Sequence, residues 1–136
     1  MNKIVAAIVL LVGLLIVCAP VFAHHGAAQF DIGKKVTLKG TVNEWFWSNP
    51  HCFLRFDVKG ADGQSVTWAA ETQSGIIMLP LGFTRQTFNV GDEVTVTLEP
   101  VKNGRPLGRM LQVVLPSGRT LVTSGSAGGS DPLPRR

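Results

Sequence analysis

The sequence predicts an all-β chain: a small five- to six-stranded OB-like Greek-key barrel with one short helix between strands 3 and 4. Three observations lead there. Segments of alternating apolar and polar residues recur from Val36 to Val122, turn-forming clusters separate them, and residues 73–88 interrupt the alternation once with a stretch suited to a helix. A plain antiparallel sandwich is the competing arrangement.

Val36 to Ser48 reads as a long first strand, with Val36, Leu38, Gly40 and Val42 on one face and Thr37, Lys39 and Thr41 on the other. Gly40 in mid-strand suggests a bend or bulge, and a long bent first strand is what serves both sheets of such a barrel. Asn49-Pro50 ends it, because proline lacks an N–H and restricts the residue before it. Cys52 to Lys59 is the second strand, with Cys52, Leu54, Phe56 and Val58 facing one way and Phe53, Arg55 and Asp57 the other. The Asp62-Gly63 turn then pairs it with a third strand, Ser65 to Thr72. Ser74 is placed to cap a short helix over Gly75 to Leu79, ended by Pro80 and Gly82, and Thr84 to Phe88 suggests a further turn. Asn89 to Asp92 turns into a fourth strand, Glu93 to Glu99, where Val94, Val96 and Leu98 alternate with Thr95, Thr97 and Glu99. A hairpin turn at Lys102 to Arg105 leads to a fifth strand, Met110 to Leu115, and Pro116-Ser117-Gly118 leads to a short sixth, Arg119 to Val122.

The chain has 136 residues, enough for one domain. Residues 1–23 read as a cleavable signal peptide: Lys3 gives a positive start, no charge interrupts Ile4 to Ala19, polar residues begin at His24, and Val21-Phe22-Ala23 offers a small residue at the cleavage point. An uncleaved anchor is the alternative, since Ile4 to Ala23 is about 20 residues, just long enough to span a bilayer. Leu15-Ile16-Val17-Cys18 faintly resembles a lipoprotein signal, but Val17 is bulky where that site wants a small residue. Residues 24–123 form the β domain, and residues 124–136, rich in Gly, Ser and Pro, read as a disordered tail. The expected location is the bacterial periplasm or the exterior, with membrane contact only through an uncleaved signal.

The formal charge of +4 comes from scattered basic residues with no run of like sign, which suits a solvated surface and disfavours nucleic acid. Cys18 would leave with the signal. Cys52 would then be alone, and a small buried apolar residue in a strand is the expected role; a reactive or intermolecular thiol is the other. Nucleophile elbow, phosphate loop, His-Glu-x-x-His and Cys-x-x-Cys are all absent from the sequence, so no catalytic residues are assigned and an enzyme is not the expectation.

The concentrated chemical signal is histidine. The chain has three: His24 and His25 at the expected mature N-terminus, and His51 in Asn49-Pro50-His51. Cleavage before His24 would free an α-amine that chelates a metal together with the ring of the same residue. His51 would supply a third nitrogen, and this T-shaped set resembles a histidine brace. Cu(II) favours tetragonal nitrogen and oxygen ligands, so copper is the cofactor such a site would take; zinc fits less well, because a structural site wants four firm ligands. His25 is a further candidate ligand, and Asp31, Glu44, Trp47, Asn49 and Glu71 are candidates for outer support or for the ligand face. A solvated His-His terminus, with His51 merely capping a turn, is the plain alternative. Trp45, Phe46, Trp47, Phe53, Phe56 and Trp68 could together make a stacking face. Alternating aromatics in strands are usually core, and core is expected for most of them.

Several segments together resemble a family of small, uncharacterised bacterial exported proteins classed as a domain of unknown function. They are His24-His25, Phe30-Asp31, Gly40-Thr41-Val42, Trp47-Ser48-Asn49-Pro50-His51, Gly91-Asp92-Glu93-Val94-Thr95-Val96 and Leu115-Pro116-Ser117-Gly118-Arg119. The resemblance implies export and a small β fold, and it brings no activity. Cys52 departs from it, since an aliphatic residue is expected after the histidine. The functional expectation is therefore an exported binding protein for a small ligand or periplasmic partner, holding Cu(II) through the mature N-terminal histidine and the Asn-Pro-His loop. The alternative is a metal-free OB-like module that binds an oligosaccharide, peptide or partner protein through an aromatic face.

Overall fold

Strand β1 (Val36–Phe46) is long enough to serve two neighbours in succession. Its first half pairs antiparallel with β4 (Glu93–Pro100), from Val36 opposite Leu98 to Thr41 opposite Glu93. Its second half pairs with β2 (Phe53–Lys59), from Thr41 opposite Asp57 to Phe46 opposite Phe53. The handover falls at Thr41, which is opposite both Glu93 and Asp57. A Cβ on Gly40 would lie 2.5 Å from the Asp57 carbonyl oxygen and 2.7 Å from Phe56 Cδ2, so glycine is needed there for close approach of the two strands. The bulge itself comes slightly later, between Val42 and Glu44. One extra residue reverses the in-out alternation, so Val42 is buried and Trp45, three positions on, also packs against the core. These findings are described for residues 2–3 and 27–123 in a computed structural model of the chain. His24, His25, nearly all of the expected signal segment and the tail from residue 124 lie outside the described residues.

From β2 the chain turns tightly at Gly60–Gly63 into β3 (Ser65–Glu71), whose seven residues pair in register with β2. Gly63 takes a φ of 80°, and Asp62 Oδ1 accepts the Gln64 N–H at 3.0 Å, as an Asp-Gly turn requires. The barrel closes where Ala69 to Glu71 run parallel to Leu107 to Arg109 of β5 (Leu107–Val114). With β4 and β5 antiparallel, the circuit is β1-β2-β3-β5-β4 and back to β1, and β6 (Thr120–Val122) adds to the outer part of β5. This is the five-stranded OB-like Greek-key barrel with one extra strand, and closure excludes the open sandwich.

The connection between β3 and β4 carries one short helix, α1 (Gly75–Met78), which runs on into a 3-10 turn over Leu79–Leu81. Ser74 stands at the N-cap, but its hydroxyl makes no capping bond. Pro80 does not end the helix as the sequence suggested. It sits inside the 3-10 turn, where its missing N–H costs nothing, and Gly82 at φ 92° ends the segment. Strand β5 begins three positions before the expected Met110, because Leu107 to Arg109 are held by β3 on one side and β4 on the other.

The core fills the barrel with Val42, Leu54, Phe56, Val94, Val96, Leu98, Met110 and Val113, and Met78, Phe83 and Phe88 from the β3–β4 connection join the same cluster. Burying each of the larger side chains contributes about 1.5–3 kcal/mol. Cys52 is fully buried at the head of β2, with Sγ 3.6 Å from the Ser48 carbonyl, so it takes the small apolar role expected of it. Most of the aromatics are likewise structural. Phe56 is buried, and Trp45, Trp47 and Trp68 pack against the core, while Phe46 and Phe53 point outward from paired positions. Trp45 meets Phe88 edge-on at 4.9 Å, and its indole N–H donates to the Thr84 carbonyl at 2.9 Å.

The segment before β1 has no periodicity, yet it is firmly placed. A 3-10 turn, Ala27–Gln29, leads into Phe30, which bridges to Val101 and is buried. Asp31 N–H donates to the Pro100 carbonyl at 2.8 Å, and Lys102 N–H donates to that of Gln29 at 3.0 Å. This strap lies over the outward face of β4 at its end. Beneath it Glu99, on the solvent side by strand alternation, is buried.

A cleft at the barrel closure

The β1–β2 loop, the end of β3 and the start of β5 line a cleft of about 800 Å³ beside the parallel junction. His51 and Asn49 line it from the loop, Glu71 and Thr72 from β3, and Arg109 from β5, with Gln29 and Phe30 of the strap closing another side. Phe53, Leu107 and Met110 add apolar wall. The cleft therefore gathers residues distant in sequence at the barrel closure.

The His51 ring is held by one hydrogen bond, with a carboxylate close beside it. Nδ1 lies 2.9 Å from the Thr72 carbonyl oxygen and 3.1 Å from Glu71 Oε1. A carbonyl oxygen can only accept, so Nδ1 carries the proton, and in the neutral ring the lone pair belongs to Nε2. Nε2 has no hydrogen-bond partner among the described residues, and no buried side-chain nitrogen or oxygen among them lacks one, so Nε2 is open to solvent. A backbone carbonyl orienting one ring nitrogen while the other stays free is how metal-ligating histidines are supported. Cis Asn49-Pro50 and the Ser48 hydroxyl, which donates to the His51 carbonyl at 2.6 Å, shape the loop that carries the ring.

Across the cleft Arg109 and Glu99 form a tight pair. Arg109 Nε donates to Glu99 Oε2 at 3.2 Å and Nη2 donates to the same oxygen, while Gly33 N–H donates to Oε1 at 2.9 Å. Burial by itself would raise the Glu99 pKa. The Gly33 N–H, the hydrogen bond and charge of Arg109 and the charge of Lys35 outweigh it, and the carboxyl is held below its ordinary value. The guanidinium also lies 6.0 Å over the Phe30 ring.

Of the residues singled out from the sequence, the structure brings His51, Asn49 and Glu71 to this cleft. Asp31 sits in the strap and faces Lys34 at 3.9 Å, and Glu44 pairs with Arg55 at 3.3 Å on the outer face of β1 and β2. Trp47 packs over Gly75 of α1. None of these three lines the cleft. His24 and His25 lie outside the described residues. Among the described residues no group of three or more His, Cys, Asp or Glu is placed to hold a metal ion. Sequence reading missed Gln29, Phe30, Glu99 and Arg109. The only local hint was a charge beside proline at the end of an alternating strand.

Fold and site together define a small OB-like barrel with a ligand-sized cleft at its closure. The chain belongs to the family of unknown function DUF6152, whose family model matches residues 11–110. No curated protein and no solved structure matches it.

Proposed function

We propose that this is an exported periplasmic binding protein that holds Cu(II) at the cleft, through the α-amine and ring of a mature N-terminal His24 and through His51 Nε2. The observation that carries the reading is the oriented His51 ring, with Nδ1 bonded to the Thr72 carbonyl beside Glu71 and Nε2 open to solvent, in a cleft also lined by Gln29. His24 precedes Gln29 by only a few residues, a reach of at most about 18 Å. Two nitrogens from one residue and one from a second suit the tetragonal preference of Cu(II). His25 would support the site from the same terminus, and Glu71 would act by orienting His51.

Two experiments test it. Intact mass of exported protein with its bound metal reports processing and loading together; the expected species begins at His24 and carries one copper. Adding one residue before His24, or changing His51→Ala, should weaken Cu(II) binding by at least about 100-fold, since each removes a ligand held by the chelate. Equal affinity of the extended form would end the proposal. The second reading, a metal-free module with an aromatic face, keeps two outward rings in its favour: Phe46 is 39% exposed, and Phe53 lines both the cleft and a shallower neighbour shared with Phe46 and Arg55. It predicts a ligand whose binding ignores chelators.

A further inference from the structure

Glu71 and Arg109 are direct partners across the parallel junction that closes the barrel. Their side chains therefore leave the sheet on the same face, one strand spacing apart, and both line the cleft. Opposite charges so placed ordinarily pair with each other. Here each is turned to a different group: Glu71 Oε1 to His51 Nδ1, and Arg109 Nε and Nη2 to Glu99 Oε2. Glu71 Oε2 and Arg109 Nη1 have no hydrogen-bond partner among the described residues. Since no buried side-chain nitrogen or oxygen there is unpartnered, both atoms are open to solvent. Their side chains are nonetheless only 17% and 30% exposed, so each is largely walled by protein.

The cleft thus presents a free carboxylate oxygen and a free guanidinium nitrogen side by side, held apart by their own partners. Its volume of about 800 Å³ far exceeds one metal ion and falls within the range of pockets for small organic molecules. Phe53, Leu107 and Met110 supply apolar wall beside the two charges. We propose that the cleft binds a small zwitterion, a free amino acid or short peptide, with its ammonium on Glu71, its carboxylate on Arg109 and its side chain against that apolar wall. This site goes beyond the copper reading and needs no metal. Glu99 serves it as a positioning residue, by holding the Arg109 fork in place.

The test is titration calorimetry on the full exported protein in the presence of a chelator, with phenylalanine and the dipeptide phenylalanyl-alanine as probes. A dipeptide that binds more tightly than the free amino acid identifies a peptide site, and the reverse order an amino-acid site. The N-acetylated and the C-amidated form of the better probe should each bind about tenfold more weakly, because each loses one charge-assisted hydrogen bond. Glu71→Gln keeps the shape of the side chain beside His51 but not the charge. It should erase the penalty for acetylation and leave that for amidation. The double variant Glu99→Gln with Arg109→Gln removes the carboxylate arm without orphaning a buried charge, and should do the converse. Thermal melts confirm that both variants fold. No heat with either probe at millimolar concentration, blocked forms that bind as well as free ones, or Glu71→Gln weakening both arms alike would each overturn the proposal. Because copper is absent throughout, none of these outcomes bears on the metal site.

Discussion

Glu99 occupies an outward position of β4, where alternation predicts exposure, yet its side chain is only 7% exposed. A buried carboxylate persists only when hydrogen-bonded and paired, and here Gly33 N–H and Arg109 satisfy both oxygens. Burial pushes its pKa up, but the donors and charges around it prevail and the net shift is downward. A carboxyl with a lowered folded pKa binds protons more weakly than in the unfolded chain. Its stabilisation is therefore full above the ordinary glutamate value, near 4.3, and is lost as pH falls through the folded value. Glu99→Gln should cost about 1–3 kcal/mol at pH 7, the loss of a hydrogen-bonded charge. The difference from the parent should narrow near pH 3. Urea unfolding at the two pH values measures it, and an equal gap at both would show that charge contributes nothing.

Among the elements, β1 serves two neighbours in succession, β4 along its first half and β2 along its second. Gly40 marks the crossing between them. The methyl of Gly40→Ala would meet the backbone of Asp57, which has no free rotamer with which to move away. The substitution should destabilise the fold by about 1–3 kcal/mol, in the range of other overpacked sites. Lys39→Ala, one residue away and exposed, should cost under about 0.5 kcal/mol. Chemical denaturation of the two variants checks this, and parity between them would mean that the crossing is slack. At the other end of the barrel α1 is short, and Gly75 lies close beneath Trp47, so packing rather than helix propensity keeps it in place.

At the scale of the whole molecule, closure and cleft share one location. β3 runs beside β5 for only three residue pairs, while its register with β2 continues to Thr72, whose N–H donates to the Cys52 carbonyl at 2.9 Å. The junction residues Glu71, Leu107 and Arg109 both seal the barrel and line the cleft. The strap then covers the neighbouring face and brings its own start to the rim. A ligand binding there touches β3, β5, the β1–β2 loop and the strap at once, so it should stabilise the domain as a unit. For copper at 100 times its dissociation constant, linkage gives about 2.7 kcal/mol. In a domain of this size that raises the Tm by roughly 10–20 °C. The rise should appear in protein beginning at His24 and vanish when the N-terminus is extended. A calorimetric scan with and without copper reads both, and equal rises would separate the stabilisation from the N-terminal amine.

By itself the sequence determined the barrel. In-out alternation in five segments, an Asp-Gly turn and one interruption with a capping residue are local properties, and local periodicity follows directly from backbone geometry. It also placed His51 after a proline turn and Glu71 at a strand end. It could not decide that Glu99 is buried, that an aperiodic strap covers β4, that Pro80 rides inside a 3-10 turn, or that Gln29, His51, Glu71 and Arg109 share one cleft. Those depend on contacts between segments far apart in the chain. No residue pattern announces such contacts, because they are fixed only when the strands close and the exposed face of one element becomes the buried face beneath another.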